Sequence, residues 1–174
     1  MKAILNFSVL LFCLAFNALA QTDKTTTAKI VAEKNFVFVA TAANPLNVND
    51  INNILRQMPG NMNGGSISLT DSNYDVVITS DSLVAFLPYY GRAFSAPMTT
   101  EENGYKFKSK DFSYTSTQRK KGGWEISINT KDVKNSPKLN LSINENGYAT
   151  LTIISNNKQS INYNGFLAEN KKKQ

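Results

Sequence analysis

Seven consecutive residues, Pro88-Tyr89-Tyr90-Gly91-Arg92-Ala93-Phe94, hold the side chains best suited to recognising another molecule. Tyr89, Tyr90 and Phe94 offer contact area and stacking, and Arg92 offers a planar fork that can grip a carboxylate or phosphate. They open the longest connection in their half of the chain, residues 88–103, and long connections inside compact domains are often functional. The same set also suits an aromatic plug, with Tyr89 and Phe94 packed into the domain and Arg92 paired with a carboxylate. Trp124 follows Gly122-Gly123 directly, so it belongs near one end of the domain, either as a core-edge ring or as the wall of a ligand site.

Catalytic chemistry finds less to work with. The chain has no histidine, and its one cysteine, Cys13, lies in an apolar N-terminal run. That excludes Ser-His-Asp and Cys-His nucleophiles and a zinc site built on His or Cys. An enzyme would need a carboxylate pair or a Ser-Lys arrangement. The carboxylates Asp71, Asp75, Asp81, Glu101, Glu102, Asp111, Glu125, Asp132 and Glu145 fall mostly in turns or on outward strand faces. Asp71-x-Asn73-x-Asp75 matches the start of a calcium loop but lacks the glycine and distal glutamate that should follow, and it reads as a turn. The expectation is a non-enzyme with no catalytic residue, no metal and no cofactor; a carboxylate-based hydrolase is the alternative.

Residues 1–20 read as a cleaved leader. Lys2 is the only charge, the run to Leu19 is almost wholly apolar, and Ala18-Leu19-Ala20 supplies the small-x-small pattern before Gln21. Phe12 stands where a lipid-attachment cysteine wants a small residue before it. The expected product is exported to the periplasm or beyond, with no stable membrane span after cleavage. Residues 21–170 make one domain, held by burial rather than disulfides, and residues 171–174 a basic tail. The net charge of +6 comes largely from that tail and from Arg119-Lys120-Lys121. With no single basic face interleaved with aromatics, nucleic acid is not an expected partner.

The elements that must position these residues are strands. Residues 124–129 put Trp124, Ile126 and Ile128 on one face and Glu125, Ser127 and Asn129 on the other. Residues 139–144 repeat that alternation, and Asn146-Gly147 then fits a two-residue hairpin. Further alternating runs cover residues 66–70, 74–79, 83–87, 104–108, 112–118 and 160–166, and Tyr148 opens another. Residues 36–40, Phe-Val-Phe-Val-Ala, are apolar without a break, which predicts a strand buried on both faces. Residues 22–34 predict a short helix capped by Thr25, Thr26 or Thr27. Residues 48–58 predict a second, with Val48, Ile51, Leu55 and Met58 on one side.

The motifs taken in order resemble a known family. Leu87-Pro88-Tyr89-Tyr90-Gly91-Arg92-Ala93-Phe94-Ser95-Ala96-Pro97, Lys120-Lys121-Gly122-Gly123-Trp124, Asn146-Gly147-Tyr148-Ala149-Thr150-Leu151 and Ser155-Asn156-Asn157 resemble the domain of unknown function 4251 family. The resemblance runs from about residue 28 to 167. It implies a small exported bacterial protein of one domain, and no activity. Residues 48–58 are longer than the link usual at that place in the family.

Together these readings predict a mainly β fold, an antiparallel up-and-down meander of about nine strands. One short helix cannot cover so many bulky inward residues, so the sheet is expected to close, or nearly close, into a lipocalin-like barrel. Its interior should be filled by side chains, with the N-terminal helix at one end. The expected role is a cell-envelope binding module for a small hydrophobic or amphipathic ligand, with Tyr89, Tyr90, Arg92 and Phe94 as contacts and Trp124 as wall. The alternative is a structural or protein-interaction domain of the envelope.

Overall fold

The computed structural model describes residues 22–46, 62–63, 65–70, 72–95 and 103–170. The leader, the helix expected over 48–58 and the basic tail lie outside the described residues. Among the described residues one helix, α1 (Lys24–Ala32), precedes eleven strands: β1 (Phe36–Pro45), β2 (Met62–Asn63), β3 (Ser66–Ser68), β4 (Asp75–Ile78), β5 (Leu83–Pro88), β6 (Gly104–Ser109), β7 (Phe112–Gln118), β8 (Trp124–Thr130), β9 (Lys138–Ile143), β10 (Tyr148–Ser155) and β11 (Lys158–Glu169). Nine of them lie side by side in the order β6-β5-β4-β1-β11-β10-β9-β8-β7, with β3 on the far half of β1 and β2 on β3. Every pair is antiparallel. The result is a mainly β, nearly closed barrel with one short helix.

The order is that of a meander whose first and last strands, β1 and β11, have joined. The break falls elsewhere, between β6 and β7. Nine strands paired antiparallel from β6 round to β7 leave those two running in the same sense. They cannot form a hairpin, and β7 carries on from β6 through a kink at Lys110 and Asp111. The sequence expectation of hairpin after hairpin is corrected here, and the reason is local. A two-residue hairpin needs a left-handed residue, and neither Lys110 nor Asp111 has positive φ, whereas Gly122 and Gly123 before β8 do, at 85° and 82°. The hairpin at Asn146-Gly147 is also longer than expected. Only Gly147 is left-handed, at φ 81°; Asn144 N–H donates to Tyr148 O at 2.8 Å, and Asn144 Oδ1 accepts from the N–H groups of Asn146 and Tyr148.

Alternation fills the barrel. Phe36, Phe38, Ile67, Ile78, Leu83, Ile128, Leu141, Leu151 and Tyr163 are fully buried in one continuous core, as in small barrels whose interior is occupied by side chains. Tyr74, Phe107, Phe112, Tyr114 and Trp124 pack against that core from positions that stay partly exposed. In β1, Phe36 and Phe38 point in, while Val37 and Val39 are half-buried on the outer wall. The expected burial on both faces does not occur, because a barrel strand has only one inside.

Helix α1 closes the end nearest the β9–β10 turn. Thr27, Ile30 and Val31 are its buried face, and Lys24 Nζ lies 3.0 Å from Glu145 Oε1. Its cap is Asp23 rather than the threonines expected: the carboxylate accepts from Thr26 N–H at 2.8 Å, where an anion also suits the helix dipole.

Candidate binding site

The kink between β6 and β7 leaves a notch in the wall. Among the described residues β6 pairs only with β5 and β7 only with β8, so one edge of β6 has no strand partner among them. Across it stands the loop between β8 and β9, residues 131–137, and beside it the β10–β11 turn. Between them lies a cleft of about 350 Å³, lined by five consecutive β6 residues from Gly104 to Lys108, by Asp132, Val133, Lys134, Asn135 and Pro137, and by Ser155, Asn157 and Lys158. A second cleft of about 310 Å³ adjoins it, bounded by Tyr89, Gly91, Ala93, Ser95, Asn103, Asn157 and Lys158. Asn157 and Lys158 are the partition the two share.

Asp132 holds the kink that makes the notch. Its carboxylate accepts from the Ser109 hydroxyl, from Lys110 N–H at 2.8 Å and from Asp111 N–H at 3.2 Å. Lys131 N–H adds a bond to Asp111 O at 2.9 Å. The Ser109 hydroxyl, then the Lys110 amide, hold the Asp132 carboxyl at a pKa of about 2. A carboxyl depressed in the folded state stabilises the fold above its unfolded value, about 3.9, and that contribution fades as pH falls toward 2. In acid titrations followed by circular dichroism, the native chain should therefore lose stability more steeply between pH 4 and 2 than Asp132→Asn does. Parallel curves would show that this clamp holds nothing.

Lys158 is the least expected residue of the site. It is 7% exposed, a rare state for lysine. Its ammonium donates to Gly104 O at 2.7 Å and lies 5.0 Å from the ring centre of Tyr89 and 4.8 Å from that of Tyr105. Those two rings meet edge to face at 5.8 Å. Ring faces and a carbonyl offset part of the cost of taking a cation out of water. Burial raises the Tyr105 phenol above its usual range, opposed by Ser155. Burial does the same more strongly for Tyr163, reinforced by Tyr105, Tyr89 and Tyr90, so these two phenols stay neutral at ordinary pH.

Of the five residues singled out from the sequence, Tyr89 alone lines a cleft. Its hydroxyl sits 2.8 Å from Arg92 O and 3.0 Å from Gln159 O, which ties the connection down. Arg92 and Phe94 are exposed, and their backbones bond to the β10–β11 turn: Arg92 O accepts from Gln159 N–H at 3.0 Å, and Phe94 N–H donates to Asn157 O at 2.7 Å. Tyr90 packs on the core, its phenol raised by burial and then by Tyr74. Trp124 begins β8, opposite Ile143, whereas the cleft lies beyond the other end of that strand, roughly 20 Å away. Trp124 is therefore not a wall of the same site.

Lys158 escaped the sequence because of a bulge. Between Ile153↔Ile161 and Ser155↔Lys158, two steps on β10 face three on β11. The extra residue flips the alternation, so counting back from Ile161 by twos turns Lys158 outward when it points in. Asp132, Lys106, Lys108 and Lys134 read only as solvated charges, since nothing local marks the free edge of β6.

Comparison with known proteins agrees with this architecture. A crystal structure of a DUF4251 family protein from Bacteroides eggerthii DSM 20697 is similar to it, with a TM-score of 0.55 at 15% sequence identity over 84% of this chain and 87% of that one; likeness at that identity speaks for the fold. No curated protein matches. The family model of DUF4251, a domain of unknown function, matches residues 18–167, and the chain belongs to that family.

Proposed function

We propose that the protein is an exported, non-catalytic binding module that takes a small amphipathic molecule with an anionic head group into the notch beside β6. The observation that carries this reading is the lining of the larger cleft. Lys106, Lys108, Lys134 and Lys158 surround it with Asp132 as the one carboxylate, next to apolar surface from Tyr105, Phe107, Val133 and Pro137. Clefts of roughly 300–1,000 Å³ that combine apolar walls with a few placed polar groups are the usual form of small-molecule sites. Asp132 is already held by three donors, so no pair of free carboxyls faces the cleft among the described residues, which favours binding over hydrolysis. The leader-like residues 1–20 support export. No helix among the described residues is long and apolar enough to cross a membrane.

Titration calorimetry with octyl phosphate and octyl glucoside, both below their micelle concentrations, tests the reading. Octyl phosphate should bind and octyl glucoside should bind at least about tenfold more weakly, since charge complementarity in a partly dry cleft discriminates by more than 1.4 kcal/mol. Lys158→Met keeps the side-chain length and the packing on both rings but removes the charge, and should weaken octyl phosphate by a similar factor. Lys134→Ala, at an exposed position, should act the same way to a smaller extent. Equal affinity for the two amphiphiles, or variants that bind like the native chain, would remove the proposal.

A further inference from the structure

The outer wall carries a third groove, of about 420 Å³, at the opposite end of the barrel from the notch. Arg119, Ser142, Asn144, Tyr148, Thr150 and Asn164 line it. It sits where β9 ends and β10 begins, whereas the notch touches Pro137 and Ser155 at the other ends of those strands. Register builds this surface. Ser142 stands opposite Thr150 and Thr150 opposite Asn164, so three polar side chains form one row across strands about 4.8 Å apart. Tyr148 is the neighbouring outward position on β10, about 7 Å along the strand.

The charges here compensate each other. Arg119 Nη1 lies 3.1 Å from Glu125 Oε1 and donates to Ser142 Oγ at 3.2 Å, while Nη2 donates to Ile143 O at 2.6 Å. The Ser142 hydroxyl in turn donates to Glu125 Oε1 at 2.9 Å. What stays open is neutral. The Thr150 hydroxyl donates to Asn164 Oδ1 at 3.2 Å, which fixes the Asn164 amide and leaves its two N–H donors for a ligand. Neither donor has a partner among the described residues. Tyr148 is 51% exposed, and among the described residues no ring or cation lies on it.

We propose that this groove binds a neutral saccharide, with one sugar ring laying its C–H face on Tyr148 and its hydroxyls reaching Asn164, Thr150 and Ser142. A sugar has both halves of the matching chemistry. Its ring face suits an aromatic platform, and its hydroxyls both donate and accept. Side chains already held by their own hydrogen bonds lose little freedom when such a ligand arrives. A fatty chain would cover the Asn164 donors without pairing them, which costs affinity. An anion would have to compete with Glu125 for Arg119. The groove shares no lining residue with either cleft beside β6, so saccharide binding stands or falls apart from binding in the notch.

The test is a nitrogen-15 amide titration of the native chain with maltose, cellobiose, mannobiose and chitobiose. Each is taken to about 20 mM, well above the dissociation constant of about 1 mM suited to one ring and a few hydrogen bonds. At least one disaccharide should move residues 142–144, 148–150 and 164–165 together and leave 104–108 in place. Tyr148→Ala should weaken it at least about tenfold, whereas Tyr148→Phe, which keeps the ring, should change it less than about twofold. Asn164→Asp, which exchanges the two donors for acceptors, should weaken it at least about fivefold. All three substitutions lie on the outer wall, so circular-dichroism spectra should match that of the native chain. No response to any of the four sugars, shifts centred elsewhere, or Tyr148→Ala or Asn164→Asp chains that bind like the native one would overturn the proposal.

Discussion

Replacing Tyr163 with alanine should cost about 3–5 kcal/mol, the range for emptying a large aromatic site in a packed core, and lower the melting temperature by roughly 10–15 °C. Tyr163 is fully buried in β11, the strand that joins the beginning of the barrel to its end. Its hydroxyl donates to Pro88 O, where β5 gives way to the connection that carries Tyr89. Tyr163→Phe keeps the ring and strands that carbonyl, so it should cost only about 1–2 kcal/mol. Urea denaturation of the three chains separates the ring's contribution from that of the bond. Equal losses for the two variants would mean that the hydroxyl, and not the volume, holds this region. Against a total stability of about 5–15 kcal/mol for domains of this kind, the alanine variant should be near its limit at physiological temperature.

Gly165→Ala should be the next most damaging change, at about 2–3 kcal/mol. Gly165 pairs with Ala40 at the point where β1 bulges between Ala40 and Ala42. A Cβ there would stand 2.0 Å from Val39 O and 2.9 Å from Val39 C. Both are backbone atoms of the neighbouring strand, so relief requires β1 and β11 to separate rather than a side chain to turn. That ladder is the one joining first strand to last, and the strain falls on closure itself. Thermal unfolding should show the loss, with Ala149→Gly as a comparison that removes a methyl from a buried position without forcing strands apart. A Gly165→Ala chain as stable as the native one would mean that the β1–β11 pairing is looser than described.

Most of the wall was legible from alternation, because a strand with one wet face declares itself every second residue. Residues 124–129 and 139–143 needed nothing more, and Ile67, Leu69, Val76 and Ile78 are buried as their parity required. What alternation could not show were its interruptions. The bulge near Lys158 reverses which side chains look inward, and bulges leave no composition signature of their own. The non-reversing step from β6 to β7 had a faint signal, the lack of glycine or asparagine at Lys110-Asp111, but its consequence depends on pairings far away in sequence. Arg92 and Phe94 were chosen for side chains that the fold leaves at the surface while using their backbone groups. Trp124 was placed correctly at an end of the domain, and only the pairing of β8 with β9 decides which end.

The most direct measurement is a map of backbone amide shifts in a nitrogen-15 spectrum as octyl phosphate is added. Binding in the notch should move residues 104–108, 132–137 and 155–158 together, leave Trp124 and its neighbours in place, and lose this pattern in Lys158→Met. Shifts centred on Trp124, or spread evenly over the barrel, would contradict recognition at the edge of β6.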